Sequence, residues 1–208
     1  MTAPLLLVEG RNDRHVVGKL LWHHGLKPDV DFRVKDTGGE NPLITTLPLE
    51  IRTAGLTPLG VIVDADVDLQ ARWNSLNYLL KKAGYAPPYS PDSRGLVLVQ
   101  DDLPALGIWV MPDNQLPGKL EDFVARLVPD QDSLLPMAER ATRSIPAALR
   151  RFSEPDLAKA VIHTWLAWQE EPGSRMGEAF TKKYLDPKAP TALVFVDWVR
   201  RLIAAGPA

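Results

Sequence analysis

The sequence predicts an α/β fold, with a mostly parallel, Rossmann-like sheet flanked by helices and a helical C-terminal part. Three observations predict it. Short apolar runs of strand length alternate with helix-period segments through the first half of the chain. Those runs are nearly continuous in apolar character, as strands covered on both faces are. After Pro117 strand signals stop, and prolines punctuate a series of helical patterns.

The first strand is the run Pro4 to Val8. A helix follows from Asp13 to His24, with Val16, Val17, Leu20, Leu21 and His24 on one side and Gly25 ending it. Val30 to Val34 alternates apolar and charged residues and predicts the second strand. Asn41-Pro42 supplies a cap and a first-turn proline for a helix to about Ala54. Leu59 to Val63 is the third strand and Leu69 to Lys82 the third helix. This order implies right-handed crossovers in a largely parallel sheet. Leu96 to Val99 and Gly107 to Met111 are two further strands, and the proline-rich stretch from Ala86 to Pro91 is a loop. Helices are expected over Lys119 to Leu127, Ser133 to Phe152, Pro155 to Trp168, Met176 to Tyr184 and Thr191 to Ala204. The resulting division is an α/β core over residues 1–115 and a helical extension over 116–208 packed on it.

Composition narrows the function classes. The chain has 208 residues, enough to bury a core, and at 45% hydrophobic and 24% charged it is not disordered. With no cysteine, thiolate metal sites, disulfides and cysteine nucleophiles are excluded. The absence of cysteine also fits a reducing, cytoplasmic setting. The formal net charge of -2 means that nucleic-acid binding would need a local basic patch. No apolar run approaches the ~18 residues of a membrane span, so no membrane partner is expected. The histidines lack zinc-ligand spacing, and no Ser-His-Asp order is convincing.

Acids stand at the ends of the strands, where ligands of open parallel sheets bind. The first strand runs into Glu9-Gly10, with Asp13 four residues after Glu9. The third runs into Asp64-Ala65-Asp66, with Asp68 next. Asp64 and Asp66 share a side of an extended segment, and Glu9 faces them if the two strands are neighbours. Clustered carboxylates repel unless a cation joins them, and hard oxygen donors suit Mg²⁺ or Mn²⁺. Such an ion supports phosphoryl transfer or phosphodiester hydrolysis. A lone acid after a strand, by contrast, is ordinarily a cap or turn residue.

Glu9-Gly10 after the first strand and Asp64-Ala65-Asp66 after a later one resemble the signature of the Toprim domain. That fold is shared by topoisomerases, bacterial primases and the OLD (overcoming lysogenization defect) family nucleases. Asp13 fits the second acid of the OLD-type version. The resemblance implies Glu9 as acid/base or metal ligand and the aspartates as ligands of one or two Mg²⁺ or Mn²⁺ ions. Gly118-Lys119-Leu120-Glu121-Asp122 resembles a further OLD-type acidic element, which adds Glu121 as a ligand, and Lys159 matches the family's later lysine. Gly10, Asp68, Asp122 and His163 complete the candidates as accessory residues. The resemblance covers residues 4–112 in the core and looks most like small stand-alone Toprim proteins related to the OLD nucleases. No G-x-x-x-x-G-K-[ST] motif occurs, so ATP coupling would need a separate ATPase subunit.

Other signals carry two readings each. Lys159 and His163 lie opposite an apolar face of Leu157, Val161, Trp165 and Trp168, either as a solvated face or as groups turned to a phosphate. Arg140, Arg143, Arg150 and Arg151 form a row that could track a phosphate backbone or be plain surface, with Pro146 interrupting it. Gly38-Gly39 allows close approach to phosphate or makes a simple turn. The leading expectation is a metal-dependent nuclease acting on DNA or RNA. The alternatives are a haloacid-dehalogenase-type phosphatase, which would use Asp64 as nucleophile and leave Glu9 idle, and a non-catalytic metal-stabilised module binding nucleic acid or a partner.

Overall fold

The structure is a computed structural model that describes residues 3–55 and 57–206. Its strands are β1 (Leu5–Val8), β2 (Arg33–Asp36), β3 (Leu59–Asp64), β4 (Leu96–Leu98) and β5 (Leu106–Met111). They form one five-stranded sheet in the order β2-β1-β3-β5-β4. All neighbours are parallel except β4 with β5. Between them run α1 (Arg11–His23), α2 (Glu40–Thr53) and α3 (Leu69–Lys82). The C-terminal part holds α4 (Leu120–Ala125), α5 (Leu134–Arg143), α6 (Leu157–Ala167), α7 (Glu178–Thr181) and α8 (Pro190–Ala204).

The alternation of the strands sorts the apolar residues into two layers. Leu7, Val61, Val63, Ile108 and Val110 pack with Leu43 and Leu47 of α2 and Trp73, Leu76 and Leu80 of α3. Leu6, Val8, Ile62, Trp109 and Met111 point to the opposite face. They join Val16, Val17, Leu20 and Leu21 of α1 to Phe195, Trp198, Val199 and Leu202 of α8, with residues of α4, α6 and α7 in the same cluster. Residues from both halves of the chain therefore fill one apolar layer. The sheet is smooth beneath α8: a Cβ on Gly107 would stand 2.9 Å from Leu202 Cδ2 and 3.0 Å from Trp198 Cζ2. Trp198 Nε1 donates to the carbonyl of Leu96 at 2.9 Å, fastening α8 to β4.

Four expectations need correction. The second strand starts at Arg33, not Val30. Asp29 takes a left-handed φ of 62, Asp31 accepts from the Lys27 amide at 2.7 Å, and Val30 is exposed. Local side-chain hydrogen bonding makes a turn there and overrides the alternation. The helix expected over Ser133 to Phe152 ends at Arg143. Pro146 cannot donate and disfavours helix in the residue before it. The arginine row is thereby broken: Arg143 pairs with Glu139, and Arg150, beyond the helix, with Glu154. Met176 to Tyr184 contains only the short α7, closed by Lys183 at a φ of 62. Trp168 lies past the end of α6 and is exposed, while Leu157, Val161 and Trp165 are buried. Among the described residues no helix is long and apolar enough to cross a membrane.

Candidate functional site

Because β1 and β3 are parallel neighbours with Val8 opposite Ile62, the residues that follow them emerge at the same edge. Glu9 Oε1 accepts the backbone N–H of Asp64 at 2.9 Å. Asp64 Oδ1 in turn accepts the N–H of Leu120 at 3.0 Å, at the first residue of α4. Asp13, in the first turn of α1, and Glu121, in the first turn of α4, are both buried. These four acids line one cleft of about 610 Å³. Gly10, Asp36, Gly38, Gly39, Lys119, Asp156 and Lys159 complete much of its wall. The structure thus brings Lys159, exposed on α6, to the acids from which it is far removed in sequence. Gly38 and Gly39 reach the cleft with φ of 83 and 136, and the Gly39 amide donates to the carbonyl of Glu9 at 2.7 Å.

The cleft holds more negative charge than its surroundings neutralise. Burial pushes the Asp64 carboxyl up to about 9, and Glu9, Asp13, Glu121 and Asp66 add to the shift. Burial also raises Glu9 to about 7, against the Asp64 amide and with Asp13 adding. Asp13 rises to about 6, through burial first and Glu121 among the charges. Such a cluster takes up protons or a cation.

The remaining candidates, Gly10 apart, do not line this cleft. Asp66 does not line this cleft: its carboxylate meets Arg72 Nη2 at 2.5 Å and Lys119 Nζ at 3.1 Å. Arg72 also binds Glu40, and its side chain is only 9% exposed. Asp66 and Gly118 exchange backbone hydrogen bonds of 2.9 and 2.7 Å, which tie the loop after β3 to the approach to α4. Asp68 caps α3 by accepting from Ala71 at 2.9 Å. Asp122 accepts from the Lys119 amide at 2.8 Å. Both accessory carboxylates are thereby occupied as helix caps. His163 is exposed on α6 and does not line the cleft. Gly10 does line it, and a Cβ there would stand 3.3 Å from Asp13 Oδ2.

Asp36, Lys119 and Asp156, in the cleft wall, are not marked by the sequence reading, nor are Arg72 and its partner Glu40. Burial lowers the Lys119 ammonium, but Asp66 outweighs that and holds it above the ordinary lysine value. Lys119 stands within a segment whose acids attract attention first. Arg72 and Glu40 have no local signal, since they are 32 residues apart. Among the described residues no three carboxylates or imidazoles converge as a ready-made metal cage.

The family model described as "Protein of unknown function (DUF3226)" matches residues 3–204. The chain belongs to the DUF3226 family. No curated protein matches this DUF3226 member. Two solved chains match it in fold. One is the C-terminal region of the Xanthomonas campestris pv. campestris OLD protein phased with platinum, at a TM-score of 0.51 and 16% identity, covering 98% of this chain and 94% of that one. The other is the same region phased with mercury, at a TM-score of 0.50 and 16% identity, covering 97% and 96% respectively. At this identity the likeness is one of fold.

Proposed function

We propose that the chain is a Mg²⁺- or Mn²⁺-dependent Toprim-type nuclease that hydrolyses phosphodiester bonds in DNA or RNA. The observation that carries this reading is the convergence of Glu9, Asp13, Asp64 and Glu121 on one cleft at the carboxyl edge of the sheet, with Lys119 and Lys159 in its wall. The fold likeness to the OLD C-terminal region and the Glu-Gly and Asp-x-Asp motifs support the Toprim assignment.

The donors fit a hard cation. All are oxygens, and Glu9 and Asp64 each commit one oxygen to a backbone N–H, leaving the second to face a ligand. Magnesium keeps several waters, so it does not need a cage of three protein ligands. Glu9, Asp13, Asp64 and Glu121 would hold one or two ions, with Asp66 joining if it leaves Arg72 and Lys119. Such an ion, when bound, acidifies water and polarises a phosphoryl oxygen. Lys159 and Lys119 offset charge that grows on the phosphate. In the metal-free site burial raises Glu9 to about 7, and acid or base for the reacting oxygens is the role open to it where it is not itself a ligand. Nucleic acid is the partner, with a separate ATPase subunit as a further candidate.

The test is single-turnover cleavage of plasmid and RNA with Mg²⁺ and Mn²⁺. Wild type cleaves, Asp64→Asn does not, and Lys159→Ala slows by ~10²-fold with unchanged Mn²⁺ affinity. If wild type never cleaves yet Mn²⁺ raises its melting temperature, the chain is a metal-stabilised binding module. A phosphoaspartate trapped on Asp64 would assign a phosphatase instead.

A further inference from the structure

A second cleft, of about 460 Å³, opens on the other side of Lys119. It shares Lys119 and Glu121 with the acid cleft, so the two clefts adjoin. Its floor is aliphatic, made by Leu135 of α5 and by Leu157, Ala158, Val161 and Ile162 of α6. Its charge differs in kind from that of the acid cleft, because the carboxylates around it are already partnered. Asp66 is held by Arg72 and Lys119, Glu139 by Arg143, and Glu154 by Arg150. Asp122 accepts the Lys119 amide. Only Glu121 remains, and it belongs to the shared wall.

We propose that this second cleft takes a nucleobase of the strand whose scissile phosphate lies in the acid cleft. The proposal rests on the phosphodiester-hydrolysis reading above and narrows its substrate to unpaired nucleic acid. A phosphate or a duplex backbone demands cationic walls. An aliphatic slot with three of its rim carboxylates held by cations suits an uncharged, flat heterocycle, which apolar side chains can sandwich. The volume is in the range of small-ligand sites, ~300–1,000 Å³. Lys119 stands where the two clefts join, which is where the phosphate linking base and reacting centre would pass. A base seated there has left its stack, so an intact duplex cannot fill both clefts.

The test compares two substrates with Mn²⁺: a small aryl phosphodiester, which has no base, and a labelled single strand of about 12 nucleotides, within the usual range for one such groove. An annealed duplex of the same strand is run beside them. Ala158→Phe and, independently, Ala125→Phe fill the second cleft from α6 and from α4. Wild type is expected to cut the single strand at least tenfold faster than the duplex. Each variant should lower the rate on the single strand at least tenfold relative to its own rate on the aryl diester. Strand affinity, read by fluorescence anisotropy with Ca²⁺, should fall with it. Circular dichroism melts identify a variant that has failed to fold, and the other variant then decides. If both folded variants cut and bind the single strand like wild type, or if duplex is the better substrate, the base site is wrong while the hydrolytic reading stands. If wild type hydrolyses neither substrate, the hydrolytic reading fails and takes this one with it.

Discussion

Asp64 is the hinge of the site. Its Oδ1 has a structural task, accepting the Leu120 amide, while its charge is what its neighbours oppose. Asp64→Asn keeps an acceptor oxygen and removes that charge. Its metal-free melting temperature should equal or exceed that of wild type, and its response to Mg²⁺ should shrink. A sharp loss of metal-free stability would mean that the carboxylate itself, not merely an acceptor, is required there. Arg72 behaves oppositely. Arg72→Met would leave Asp66 and Glu40 without their shared cation. A fully buried pair broken this way costs ~3–5 kcal/mol. Here the two carboxylates are 33% and 39% exposed, so about 1–3 kcal/mol is expected by urea denaturation. Glu9 and Asp64 were legible because acids closing apolar strands stand out from their neighbours. Lys119 and Arg72 were not, because their roles exist only once distant segments meet.

The legibility of whole elements follows the same division between local and distant causes. α3 has the bounds its periodicity predicts, with Asp68 as a side-chain cap at its start. β3 differs by one residue, since its run is almost wholly apolar and lies in the middle of the sheet. The alternation places β2 too early because an edge strand with alternating exposure is easily imitated by a turn whose side chains bond their own backbone. The C-terminal helices are shorter than their periodicity predicts, because Pro146 and the left-handed Lys183 stop them. Nor could periodicity indicate how closely α8 approaches the sheet. That approach depends on Gly60 and Gly107, whose missing side chains make room for Trp198 and Leu202. Gly107→Ala should therefore overpack this layer and cost about 1–3 kcal/mol in chemical denaturation, although alanine suits a strand no worse than glycine. Unchanged stability would show that α8 can slide to accommodate a methyl group.

Across the molecule, the acid cleft sets a pH dependence whose sign can be worked out. Glu9, Asp13 and Asp64 all have folded values above their ordinary ones of 4.5, 3.8 and 3.8. The fold thus holds their protons more tightly than the unfolded chain does. Their contribution is fully present below the ordinary values and is lost as pH rises, by about 6 for Asp13, 7 for Glu9 and 9 for Asp64. The metal-free melting temperature should fall between about pH 5 and 9, and Mg²⁺ or Mn²⁺ should offset the fall, most at the alkaline end. A flat metal-free profile would show that these acids are solvated in the native state.

α8 also has a bearing on how the chain is made. A ribosome translates Glu9 and Asp64 long before residues 190–204, yet Ile62 and Trp109, on the face behind those acids, share their cover with Phe195, Trp198 and Leu202. The sheet cannot close on the nascent chain until that helix has left the exit tunnel. On the proposed reading, a hydrolytic cleft does not set until α8 has covered the back of the sheet. A message cut short before Pro190 yields a chain with one face of its sheet uncovered, a client for chaperones and proteases.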